Sequence, residues 1–121
     1  CPDDVVPLEG MGVDAAWVSN HAGRQFAGSP GAIDMLHAVR ASTNLPLIFD
    51  SGIEGGLDML RALALGADFV MLGRAWHYAL GAIGDDGPKH LYDMLMDDLK
   101  CNMIQIAATK LDELQNLLHK N

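Results

Sequence analysis

Cysteine is nearly absent: of 121 residues only Cys1 and Cys101 carry a thiol. One stands at the chain start and the other in a late helical stretch, which fits neither a metal-ligand spacing nor a disulfide framework. A reducing, intracellular setting is therefore the default expectation. Cations are scarce as well, with eight Lys and Arg against sixteen Asp and Glu and a formal net charge of −8. Binding to a phosphate backbone needs clustered cations that displace counterions, so a general nucleic-acid partner is excluded. No apolar run approaches the roughly 20 residues needed to cross a bilayer, and no signal peptide is recognisable. The expected placement is cytoplasmic, with peripheral contact at the inner face of the membrane left open. Linkers rich in Pro, Gly and Ser are missing too. Half of the residues are apolar and one fifth charged, far from the profile of disorder, so one modest core is expected.

The opening stretch CPDDVVPLEGMG has cysteine in place of an initiator methionine. It reads as a helix, favoured by Asp3 and Asp4 at its N-terminus, feeding a strand that nothing earlier can pair. The expectation is one partial domain over residues 1–121. VDAAWVS is then a short buried strand ending at Ser19, and NHAGRQFAGSPGA a polar loop. Ser29 suits an N-cap and Pro30 the first helical position of AIDMLHAVRAS, where Ile33, Leu36, Ala38 and Val39 fall near helical spacing. The unit repeats as the strand LPLIFD ending at Asp50, the loop SGIEGG, and the helix LDMLRALALG closed by Gly66. It repeats again as the strand ADFVMLG ending at Gly73 and the helix RAWHYALGAIG.

Each strand is apolar on both faces, the pattern of parallel strands covered by helices. From Gly87 onward the pattern is helical, with Leu91, Met94, Leu95, Leu99, Met103, Ile104 and Ile106 forming an apolar stripe, and KLDELQNLLHKN reads as a final short helix. Three successive βα units with polar residues at the strand ends suit the last part of a (β/α)8 barrel. An open doubly wound sheet gives the same local pattern.

Chemistry concentrates after the strands. His21 and Arg24 share the first loop, where a neutral imidazole can take a proton near neutral pH and a guanidinium can hold a carboxylate through two parallel hydrogen bonds. The pair suits a small hydroxy acid; the competing reading is a His and an Arg that merely close the loop. DSGIEGG and LGR follow the next two strands, and glycine-rich backbone leading into helix N-termini is a site for phosphate, with Arg74 adding a charge. His37, His77, His90 and His119 lie on helical stretches without a partner motif and read as structural or solvated. Met35, Met59, Met71, Met94, Met96 and Met103 read as core filling. Trp17 and Trp76 read as packing residues, and Asp97 and Asp98 as an exposed helical face.

VSNHAGRQFAGSPGAIDML, LIFDSGIEGGLDMLRALALGADFVMLGRAWHYAL and NMIQIAATKLDEL, in that order, resemble the C-terminal half of the FMN-dependent 2-hydroxy acid dehydrogenases and oxidases. Within that family, DSGI with LGADFVMLGRAWHYAL looks most like the bacterial L-lactate dehydrogenase branch. The resemblance implies an α/β fold in which this chain supplies the last three βα units and C-terminal helices of a TIM barrel. It implies FMN as cofactor and oxidation of a small L-2-hydroxy acid, L-lactate to pyruvate, with a quinone or cytochrome as electron acceptor in a homo-oligomeric enzyme. His21 falls on the family's proton acceptor and Arg24 on its carboxylate clamp. Asp50, Ser51, Gly52, Gly73 and Arg74 fall on the segments that hold the FMN phosphate and ribityl chain.

Two positions depart from the family pattern. Glu54 stands where the family has an arginine, and a carboxylate repels a phosphate at close range. Ala22 stands where the family has glycine, a mild change at negative φ and a costly one at positive φ. The family's flavin-contacting lysine and substrate-site tyrosines belong to the first half of the barrel, which these residues do not include. Two rival readings remain at this stage: another flavin- or phosphate-binding barrel enzyme, in which His21 and Arg24 are incidental, and a half-barrel that associates with a partner through its open edges.

Overall fold

In the computed structural model, which describes residues 1–117, three short parallel strands lie side by side in chain order. They are β1 (Ala16–Val18), β2 (Leu47–Phe49) and β3 (Phe69–Val70). Parallel neighbours need a crossover, and each crossover contains a helix: α2 (Ala32–Ala41) and α3 (Gly56–Ala64). α1 (Pro2–Val5) runs into a 3₁₀ turn before β1, and α4 (Arg74–Ile83) and α5 (Gly87–Gln105) follow β3. A 3₁₀ segment, Leu111–Leu117, closes the described chain. The remainder of the expected final helix and His119 lie outside the described residues. No helix among the described residues is long and apolar enough to cross a membrane.

The strand–loop–helix reading holds, with local corrections. Helix α2 begins at Ala32 after Gly31, and no side chain caps it. Ser29 instead turns its hydroxyl onto the Phe26 carbonyl, 2.9 Å away, closing a tight turn one step before the helix. Gly66 ends α3 as expected, at φ +112, a backbone region glycine enters without a Cβ penalty.

The larger correction concerns the sheet faces. Pairing of Ala16 with Leu47, of Val18 with Phe49 and of Phe49 with Val70 places these residues on one face. They join Leu36 and Val39 of α2 and Met59, Leu60 and Leu63 of α3 in the core. The opposite face carries Trp17, Ile48 and Phe69 in one row. Trp17 is 59% exposed and Phe69 62%. Among the described residues, helices therefore cover one face only, and apolar side chains on the second face stand in the open. The α5 stripe is also narrower than expected: Leu95 and Leu99 are buried, whereas Met94, Ile104 and Ile106 are exposed. Met59 is the one expected core methionine that is buried, and Met71 and Met94 are exposed.

Acidic side chains stitch the end of the sheet where the strands begin. Glu9 accepts the Thr43 hydroxyl at 2.7 Å and the Asn44 N–H at 2.6 Å. These bonds, the hydroxyl first, hold the Glu9 carboxyl below the usual carboxylate range. Asp68 accepts the Leu47 N–H at 2.8 Å and pairs with Arg40 at 3.2 Å. The opposite end of the sheet, where the strands finish, is left for chemistry, as is general for ligand sites of parallel α/β sheets.

Candidate functional site

A cleft of about 760 Å³ opens at the carboxyl ends of the strands. His21, Arg24, Asp50, Ser51, Gly52, Gly73 and Arg74 all line it. Three loops that are distant in sequence thus contribute to one wall because their strands are adjacent and parallel. A second hollow, of about 400 Å³, lies beside β1 and is walled by the N-terminal helical segment, β1, the loop after it and α2.

The histidine loop is a left-handed turn. His21, Ala22 and Gly23 have φ of +53, +54 and +75, so the substitution of Ala22 for glycine falls at a position where it is costly. Two hydroxyls hold the turn from below. Ser51 Oγ accepts the N–H groups of Asn20 at 3.3 Å and Ala22 at 3.2 Å, while Ser19 Oγ accepts that of His21 at 3.1 Å. The Ser51 hydroxyl donates to Asp50 Oδ1 at 2.7 Å. Outside the turn, the Asn20 amide donates to the Pro30 carbonyl. Arg24 folds back so that its Nε–H donates to the His21 carbonyl at 3.4 Å, leaving its two terminal nitrogens for a ligand. Among the described residues Arg40 and Arg61 are paired with Asp68 and Asp58, while Arg24 and Arg74 have no acidic partner. The two unpaired guanidinium groups are the two that line the cleft.

The two glycine loops are not equivalent. At the start of α3 the Gly56 N–H already donates to the Asp98 carboxylate of α5 at 2.5 Å, and the Glu54 N–H donates to Asp58 at 3.1 Å. Asp98 is therefore a helix cap and not merely part of an exposed face. Glu54 itself lines the cleft. Helix α4 has no side-chain cap, begins at Arg74, and is preceded by Gly73, where an added Cβ would meet nothing within 4 Å. The Trp76 N–H is bonded to the Gly73 carbonyl at 3.2 Å, but no carboxylate among the described residues sits on this helix start. The Arg74 and Ala75 N–H groups, an approachable backbone and a guanidinium together suit a phosphate monoester at α4. The first turn of α3, with its leading N–H bound to a carboxylate, suits one poorly.

His77 and Tyr78 also line the cleft, three and four residues beyond Arg74 on the same side of α4. His77, expected from its place on a helical stretch to be structural or solvated, thus faces the cleft. Its Nδ1 lies 3.1 Å from the Gly73 carbonyl. The helical spacing from Arg74 was the available signal, since i, i+3 and i+4 share one face. Met71 belongs to the same wall.

The FMN-dependent dehydrogenase profile matches residues 1–120. An L-lactate oxidase of Alicycliphilus denitrificans is 38% identical over 115 residues, covering 93% of this chain and 32% of that protein. An L-lactate dehydrogenase of Chromohalobacter salexigens is 36% identical over 115 residues, covering 93% of this chain and 29% of that protein. A solved mandelate oxidase variant with an FMN adduct superposes with a TM-score of 0.93 at 32% identity, over 99% of this chain and 39% of that one. The chain spans about a third of the length of the curated relatives it matches.

Proposed function

The chain belongs to the FMN-dependent dehydrogenase family, and from that premise we propose that it carries the proton acceptor and substrate clamp of an L-2-hydroxy acid oxidoreductase acting on L-lactate. The observation that carries this reading is the gathering of His21, Arg24, the Asp50–Gly52 loop and the Gly73–Arg74 helix start around one cleft. In this reading the three βα units are the closing part of a (β/α)8 barrel. One-sided helix cover and strands paired in chain order support it.

Arg24 holds the substrate carboxylate through its two terminal nitrogens, a planar match that also fixes the direction of the substrate. His21, one turn away, takes the hydroxyl proton in its neutral form. Loss of that proton and of the hydrogen on the same carbon turns the alcohol carbon into the ketone of pyruvate. FMN, when bound, supplies the two-electron sink for that change. Its phosphate is held by Arg74 and the first N–H groups of α4, while Gly52, at φ +83 with open space where a Cβ would be, lets backbone approach the ligand. The electron acceptor in this reading is a quinone or cytochrome, and the complete enzyme is a cytoplasmic homo-oligomer whose contact with the inner face of the membrane is peripheral.

The test is anaerobic flavin reduction in the complete protein containing this segment. H21A should retain FMN and lose rapid bleaching by L-lactate. Rapid reduction in that variant would remove His21 from the reaction. Turnover with a quinone or cytochrome but not with oxygen would support the dehydrogenase reading, and oxygen turnover would replace it with the oxidase one.

A further inference from the structure

Resting on the reading above, in which His21 accepts the substrate proton, we propose that Ser51 is a positioning residue for His21 and that its side chain is not a ligand of the cofactor. A serine hydroxyl offers one donor and two acceptor sites. At Ser51 the donor goes to Asp50 Oδ1 and the acceptors meet the N–H groups of Asn20 and Ala22. That capacity is filled from within the protein, and none remains for a phosphate or a sugar hydroxyl.

Ser19 completes the device. Its Oγ lies 3.5 Å from Ser51 Oγ and takes the N–H between the other two, that of His21. Three successive amides therefore converge on two adjoining hydroxyls. Such a concave set of amides can bind an anion; here the two oxygens occupy it. The fixed turn needs them, because His21 and Ala22 both sit at positive φ, a conformation that persists in non-glycine residues only where the surroundings over-determine it. Without the hydroxyls, relaxation of the turn rotates His21 relative to Arg24 and the cleft. Ser51 itself stands at φ +86. Glycine would hold that backbone with less strain, so the structure assigns the purpose of the residue to its hydroxyl.

The experiment uses the complete FMN-loaded enzyme with S51A, which removes the hydroxyl, and S51G, which removes it and relieves the positive φ. Both variants should slow flavin reduction at saturating L-lactate by about tenfold to a hundredfold, the range for a reactive group displaced by up to an ångström. FMN affinity should stay at the wild-type level, while Tm should fall in S51A, which loses the hydroxyl bonds and keeps the positive φ, and fall less in S51G. Hydrogen exchange at the Asn20 and Ala22 amides should accelerate in both. Weakened FMN binding with undiminished reduction of the loaded enzyme would make the Ser51 side chain a cofactor ligand and overturn the proposal. Wild-type reduction and unchanged exchange in S51G would overturn it as well. If S51A does not fold, S51G, suited to the backbone at this position, carries the test alone. If L-lactate fails to bleach the wild-type flavin, the functional reading falls, and the exchange data still decide whether the hydroxyl holds the turn.

Discussion

At Gly56 helix α3 meets α5 so closely that a single methyl group has nowhere to go. A Cβ built there would stand 2.2 Å from the Leu99 amide nitrogen and 2.5 Å from the Asp98 carbonyl carbon. Both are backbone atoms inside a helix, so neither can swing aside. G56A must push the helices apart by about an ångström to restore van der Waals contact, and overpacking of this kind costs about 1–3 kcal/mol. The same movement lengthens the 2.5 Å hydrogen bond from the Gly56 N–H to Asp98, and a bond to a charged group contributes about 1.5–3 kcal/mol. The better helix preference of alanine returns at most about 1 kcal/mol. The balance is a loss of about 2–5 kcal/mol, the size expected when packing and a cap fail together. Urea denaturation of the complete protein measures it as a fall in Cm at constant m-value. D98N alone should cost less, because it weakens the bond and leaves the packing. A neutral or stabilised G56A would refute the close approach; equal losses in the two variants would mean that packing adds nothing to the cap.

The remaining expectations concern the turn, the strand-start end of the sheet and the clamp. Ala22 is exposed at φ +54, so A22G relieves about 1–2 kcal/mol of left-handed strain against about 0.4–1 kcal/mol of added chain entropy in the unfolded state. The urea midpoint should rise slightly, and a fall would show that the turn is not left-handed. Because Glu9 is held below the usual carboxylate range by Thr43 and Asn44, its contribution is fully present above the ordinary glutamate pKa, about 4.3, and is lost as pH falls through the lowered folded value. E9Q should therefore be less stable than wild type near neutral pH and converge with it in acid; a gap independent of pH would sink this account. R24K keeps the charge and loses the planar fork, so KM for L-lactate should rise by about tenfold to a hundredfold with FMN affinity unchanged. An unaltered KM would take Arg24 out of substrate binding.

Much of the fold was legible because its signals are local. Gly66 ends its helix because glycine enters positive φ without a Cβ penalty, and LPLIFD, bounded by turn residues, is an apolar run of strand length. The loop holding His21 and Arg24 was legible as a strand-end loop, now seen to line the cleft, for the same reason, since a strand end followed by polar residues and glycine marks its own position. Asp98 could not be read in this way. Its role depends on Gly56, 42 residues earlier in the chain, and only packing of α5 on α3 brings them together. For Ser51 the family resemblance points to a cofactor-holding segment, and no local signal shows that its hydroxyl also bonds to a turn 29 to 32 residues away.

By itself, then, the sequence determined the alternation of strands and helices, the residues at each strand end and the family they resemble, all of which follow from spacing and side-chain chemistry within a few residues. Tertiary structure decided which of those groups were still free to act. It occupied the first N–H of α3 with a carboxylate and put none on the start of α4. It paired two of the arginines and left two facing the cleft. It also left Trp17 and Phe69 uncovered on the second face of the sheet. A hydrogen-bond donor, a charge or an apolar surface is satisfied by whatever lies beside it in space, and that neighbour is set by the packing of distant segments.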